Sequence, residues 1–168
     1  MSSKTNKATP IRAALMPDSR LLPLVESGLG AVENAHHKYI DESLRQAFGD
    51  SLALDDAMLA GHEQENRWDY LLGHSASDSI VGLEPHSARQ DEITTVIKKR
   101  EAALVQLRGD MSPGRIVSKW YWVASGDVHF AHTERAKLRL DQSGIEFVGK
   151  RLLPRDLPAS LAAGPKKR

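Results

Sequence analysis

Between residues 67 and 88, "RWDYLLGHSASDSIVGLEPHSA", the spacing of apolar side chains breaks with what stands on either side of it. Upstream, Leu29, Val32, His36, Ile40, Leu44 and Ala47 recur at steps of three and four, the period of an amphipathic helix, and Gly49 is placed to end it. Downstream, Ile93, Val96, Ile97, Leu104 and Leu107 return to that period, with Ser87 and Gln90 as a capping box and Gly109 at the end. The two apolar runs in between are too short for helices and are joined by Ser, Asp and His, so they read as a β-hairpin. A chain that changes period in this way must pack helices on a sheet.

The rest of the chain extends that pattern. "RIVSKWYWVAS" is a strand rich in Ile, Val, Trp and Tyr; "HTERAKLRLDQSG" is a short helix capped near Thr133 and closed by Gly144; "IEFVG" is a last strand. Before the hairpin, the sequence allows either a short helix from Asp55 to Ala60 or a weakly marked strand. The order helix, hairpin, helix, strand, helix, strand predicts an α/β fold, a small mixed sheet flanked by helices. With 168 residues a single core is expected, burying roughly 70% of the unfolded surface. Residues 1–20 have no period and read as a flexible arm, 21–152 as one domain, and 153–168 as a flexible basic tail ending in "PKKR".

Composition narrows the function classes. The chain has no cysteine, which removes disulfides, thiol nucleophiles and cysteine-based zinc sites. Neither an apolar leader nor a window approaching the ~20 apolar residues of a membrane span is present, so a cytoplasmic protein without membrane association is expected. A net charge of +1 means that any nucleic-acid surface is local. Lys98, Lys99 and Arg100 form the densest internal basic cluster, either a solvated helix face or a phosphate contact. No GxxxxGK[ST], GxGxxG or GxSxG motif occurs.

The hairpin spends two apolar positions on acids. In a strand, Glu84 and His86 share one face, while Val81, Leu83 and Pro85 share the other. Hairpin pairing would bring Asp69 close to Glu84, and two adjacent carboxylates repel unless a cation or a proton lies between them. Mg²⁺ or Mn²⁺ suits such a pair, since each takes oxygen ligands and keeps several waters. Pro85 lacks a ladder N–H, which places it at a strand end or edge. Blander readings stand beside these: Asp69 as an edge acid paired with Arg67 or a lysine, and His86 as a hydrogen-bonded structural histidine. Glu33, His37 and Asp41 line one side of the predicted first helix, as a solvated row or a metal-binding one. Trp68, Trp120, Tyr121 and Trp122 fit core positions, with base stacking the alternative, and "HFAH" at 129–132 lacks a third metal ligand.

From about Gly30 to Gly149 these residues resemble the PD-(D/E)xK nuclease superfamily, the restriction-endonuclease-like fold. Asp69 in "RWDYLLG" is similar to the motif Asp, Glu84 in "IVGLEPH" to the motif Glu, and Glu33 to the acid that many members carry on the first helix. His86 stands where the family has lysine. The strand that the family places before the Asp-bearing one can only lie between Ser51 and Asn66. The resemblance implies Mg²⁺- or Mn²⁺-dependent hydrolysis of phosphodiester bonds, in DNA before RNA, with Asp69 and Glu84 as metal ligands. It implies catalytic roles for Asp69, Glu84, His86 and Glu33, and phosphate contact for Lys98, Lys99 and Arg100. An imidazole at the lysine position can orient water or act as a base near neutral pH, and Lys98 or Lys99 could reach back as a substitute cation. The loss of the strand lysine also fits a pseudo-nuclease that binds nucleic acid or a protein partner without chemistry. Homodimerisation stays open.

Overall fold

The computed structural model describes residues 8–129 and 134–161. Among them the chain forms one six-stranded mixed open sheet with strands in sequence order: β1 (Glu26–Ser27), β2 (Phe48–Ala53), β3 (Tyr70–His74), β4 (Ser79–Arg89), β5 (Val117–His129) and β6 (Ile145–Phe147). β1 to β4 pair antiparallel with one another in succession; β5 runs parallel to β4, and β6 parallel to β5. Parallel neighbours need crossovers. These are supplied by α3 (Glu92–Gln106) between β4 and β5, and by α4 (Glu134–Gln142) between β5 and β6. Two shorter helices, α1 (Pro10–Ala14) and α2 (Leu54–Met58), complete a mixed α/β architecture.

Period-two alternation along β3, β4 and β5 sorts their side chains into two cores. Leu71, Ile80, Trp120 and Trp122 join Ile11 of α1 and Ile93, Val96 and Ala103 of α3 on one face. On the other, Tyr70, Leu72, Val81, Leu83, Tyr121 and Val123 pack against Leu29, Val32, Ile40, Leu44 and Leu152. Each fully buried aliphatic side chain contributes about 1.5–3 kcal/mol, so both faces anchor the central hairpin. Gly82 is required on the first face. A Cβ there would stand 2.6 Å from the Trp120 ring and 2.9 Å from Trp68 Nε1, so only glycine lets the two indoles meet edge to face at 5.0 Å over β4.

Several sequence expectations need correction. The helix predicted over Leu29–Ala47 is absent; residues 34–39 and 42–44 form short 3₁₀ turns, with extended Ile40 between them. The backbone there is committed elsewhere: Leu152 N–H donates to the Tyr39 carbonyl at 2.8 Å and Asp41 N–H to the Leu152 carbonyl at 2.9 Å. Tight turns keep the three-to-four spacing of buried residues without a continuous helix. Glu33, His37 and Asp41 therefore form no common helical row, and His37 Nε2 lies 3.0 Å from the Val32 carbonyl.

Within the segment read as an N-terminal arm, Pro10–Ala14 is a helix with Ile11 and Ala14 fully buried. The stretch before the hairpin holds both weakly marked elements, β2 and α2. Ser87 lies within β4 and caps no helix; α3 begins after Asp91. Of the expected C-terminal tail, Pro154–Asp156 is a 3₁₀ turn and Leu161 N–H donates to the Ala76 carbonyl at 2.8 Å. "PKKR", Thr133 and residues 130–132 of "HFAH" lie outside the described residues. None of the helices among the described residues is long and apolar enough to cross a membrane.

Candidate functional site

The hairpin ladder is unequal in length. β3 pairs with β4 only from Tyr70↔Leu83 to His74↔Ser79. Beyond Leu83, β4 continues with β5 alone, through Glu84↔Trp122, Pro85↔Val123 and His86↔Ala124. Pro85 therefore sits where one flank of its strand is open, which suits a residue without an N–H. Asp69 immediately precedes β3, and its backbone N–H donates to Glu84 Oε1 at 2.9 Å. The two acids thus meet just past the last rung, as the hairpin reading requires.

Glu84 is fully buried, so its charge needs close partners. Lys99 on α3 supplies the main one, with Nζ 2.5 Å from Glu84 Oε2. His86 Nδ1 lies 3.4 Å from the same oxygen, and its Nε2 is 2.8 Å from Glu92 Oε2 at the start of α3. A carboxylate on each ring nitrogen favours the imidazolium, whose two nitrogens both donate. The hydrogen bond to Glu84 raises the His86 pKa against the opposing effect of burial, with Glu92 adding to the rise. That same contact lowers the pKa of Glu92. Burial pulls the Lys99 ammonium down, but the charge and hydrogen bond of Glu84 outweigh it and leave its pKa raised.

Asp69 is in a different state. No hydrogen bond or ion pair reaches its carboxylate among the described residues. Burial first, and the charge of Glu84 second, push its pKa up to about 7. It opens onto a pocket of about 110 Å³ that Glu33, His36, Asp55, Asp56 and Tyr70 also line. Glu33 stands there on a loop, where its backbone N–H donates to the Tyr70 hydroxyl at 3.4 Å; His36 Nδ1 lies 2.6 Å from that hydroxyl. Burial raises the Tyr70 phenol to about 12, so it stays protonated. Arg67, which with a lysine was the partner of Asp69 in the blander reading, instead binds Asp55, with Nε 2.7 Å from Oδ1.

The structure thus brings Asp69, Glu84 and His86 together and sets Glu33 on the rim of the same pocket. It separates the basic cluster. Lys99 turns inward to Glu84, Lys98 is exposed, and the Arg100 guanidinium lies 5.7 Å from the centre of the Trp120 ring. Trp68, Trp120, Tyr121 and Trp122 are all buried, which fits core packing and rules out an open stacking platform in this conformation. Of the two lysines that could reach back, Lys99 does so; Glu92 was not singled out from sequence, although Glu92, buried Val96 and Lys99 follow i, i+4, i+7 spacing, one stripe of a helix.

Mg²⁺ and Mn²⁺ require hard oxygen ligands. Among the described residues no three His, Asp or Glu side chains are already arranged as a metal cage. Two carboxylates suffice for these ions when waters complete the shell. The unpartnered Asp69 carboxylate beside Glu84 offers hard oxygen ligands whose mutual repulsion a cation would relieve. The residues fit. No protein-family model, curated protein or solved structure matches the chain.

Proposed function

We propose that the chain is a restriction-endonuclease-like protein of the PD-(D/E)xK type that hydrolyses phosphodiester bonds, in DNA before RNA. One observation carries this reading: Asp69 and Glu84 meet past the end of a hairpin ladder, with Lys99 Nζ on the inner carboxylate. The element order supports it. A strand, β2, precedes the Asp-bearing one, and a crossover helix then leads to a parallel strand.

Asp69 and Glu84 would hold Mg²⁺ or Mn²⁺, which when bound acidifies water and neutralises charge on a phosphate. Lys99 takes the part expected of the strand lysine, bringing a permanent positive charge to the Glu84 side of the site. His86, held between Glu84 and Glu92, keeps the inner carboxylate and the first turn of α3 in register. It acts as a positioning residue and not as the attacking base. Glu33 borders the path to Asp69.

The pseudo-nuclease reading draws on one feature: Glu84 is fully buried with an oxygen on Lys99 and the other on Asp69 N–H, so a cation must compete for it. The two are separated by titrating Mn²⁺ calorimetrically into wild type, Asp69→Ala and Lys99→Ala, and incubating each with supercoiled plasmid and single-stranded DNA. A nuclease binds Mn²⁺ through Asp69 and nicks DNA in a Lys99-dependent way. Wild type that binds no Mn²⁺ and nicks nothing ends the nuclease reading. Binding of DNA without cleavage would favour the pseudo-nuclease.

A further inference from the structure

A second hollow lies between the last turns of α3 and the start of β5, and it has a different chemistry. Its volume is about 380 Å³, within the range of small-molecule sites. Leu104 and Ile116 line it and are 40% and 72% exposed, while buried Trp120 closes its inner side. Three arginines, Arg100, Arg108 and Arg115, border it, and none of its lining residues is acidic. Arg108 and Arg115 form no ion pair among the described residues. Burial lowers the pKa of the Arg100 guanidinium, with Glu101 on the same helix opposing this but forming no ion pair; the guanidinium faces Trp120 at 5.7 Å, and its buried Nε has no hydrogen-bond partner among the described residues.

Each part points to one kind of occupant. Exposed aliphatic side chains gathered over an indole favour an apolar body. Three like charges around one hollow repel one another, and an anionic head group would relieve that repulsion while using donors that the protein leaves unspent. From this convergence we infer that the hollow is a binding site for a small amphipathic anion, an apolar ring system or chain carrying a carboxylate or phosphate. The site is independent of the paired acids: Arg100 and Lys99 are neighbours on α3 but serve different surroundings, Trp120 and Glu84.

The test uses the full chain and three probes with one ring system: 1-naphthyl phosphate, 1-naphthoate and the neutral 1-naphthalenemethanol. Calorimetry gives affinity, and the indole N–H resonance of Trp120 gives location. Both anions should bind at least tenfold more tightly than the alcohol and shift Trp120, and the better of the two identifies the head group. Arg108→Ala with Arg115→Ala, both on exposed side chains, should erase the tenfold preference and leave alcohol binding unchanged. Ile116→Ser should weaken all three probes. The inference is overturned if the alcohol binds as well as the anions, if Trp120 does not shift, or if the double variant keeps the preference.

Discussion

Two carboxylates are fully buried on the same face of the sheet, Asp50 on β2 and Glu84 on β4, and their surroundings differ in kind. Asp50 accepts from backbone amides: Ile11 N–H at 3.0 Å and Arg12 N–H at 3.1 Å, the first turn of α1. Opposite it stands Gly73, where any Cβ would collide with the carboxylate. Such a shell is fixed by the chain path. Glu84 rests on side chains instead, the Lys99 ammonium and the His86 ring, with one amide from Asp69. Ammonium and imidazole can move or titrate, and amides cannot. On the proposed function, burial of an acid points to the site only where its partners are ionisable and an unpartnered second acid stands beside it.

The comparison can be broken experimentally. The largest effect is expected at Lys99: Lys99→Ala should lower plasmid nicking by about 10²–10³-fold, while Asp50→Ala should leave the rate per folded molecule unchanged. Loss of nicking in folded Asp50→Ala would erase the distinction. Both changes also cost stability, Lys99→Ala because it strands the buried Glu84 carboxylate. Asp50→Ala strands the amides of α1 and should cost about 3 kcal/mol, lowering Tm by roughly 10 °C, as read by urea and thermal unfolding.

A third effect concerns Asp69. Its pKa is about 7 in the folded chain against an ordinary 3.8, so the folded state retains the proton. The stabilisation is fully present below the ordinary value and is lost as pH rises through about 7. Asp69→Asn, which cannot ionise, should therefore stabilise the metal-free protein at pH 8 by about 2 kcal/mol after allowance for partial exposure, and by less than half as much at pH 5. Urea midpoints at both pH values test this, and equal shifts would contradict the burial argument. The smallest effect lies away from both acids. Burial lowers the pKa of His74, so its contribution is complete above its ordinary 6.5 and declines as pH falls below it. His74→Gln should flatten that acid limb of the stability profile.

How far the sequence reveals this arrangement depends on the distance over which each element is determined. The hairpin of β3 and β4, most of α3 and the strand β5 carry their own signals: short runs with a turn, helical period, and β-branched and aromatic enrichment. Asp69 and Glu84 were legible because hairpin register fixes which residues face each other. Residues 29–47 misled, because turns that bury one side leave nearly the same three-to-four spacing as a helix, and the choice was made by Leu152, far along the chain. α1 is five residues long, too short to show a period, and depends on Asp50 across 38 or 39 positions. The helical period allowed Lys98 or Lys99 to reach back but could not choose between them; packing of α3 on the sheet turns Lys99 to Glu84 and leaves Lys98 exposed.

The sorting of aromatic residues between the two cores has an optical consequence. All three tryptophans, Trp68, Trp120 and Trp122, lie in the core on the Glu84 face, and all three tyrosines, Tyr39, Tyr70 and Tyr121, lie in the opposite core. Excitation at the red edge, where only indole absorbs, reads one side of the sheet, and tyrosine absorbance reads the other. The wild-type chain thus carries two intrinsic colours, one for each layer, and can report whether its layers melt together without any label.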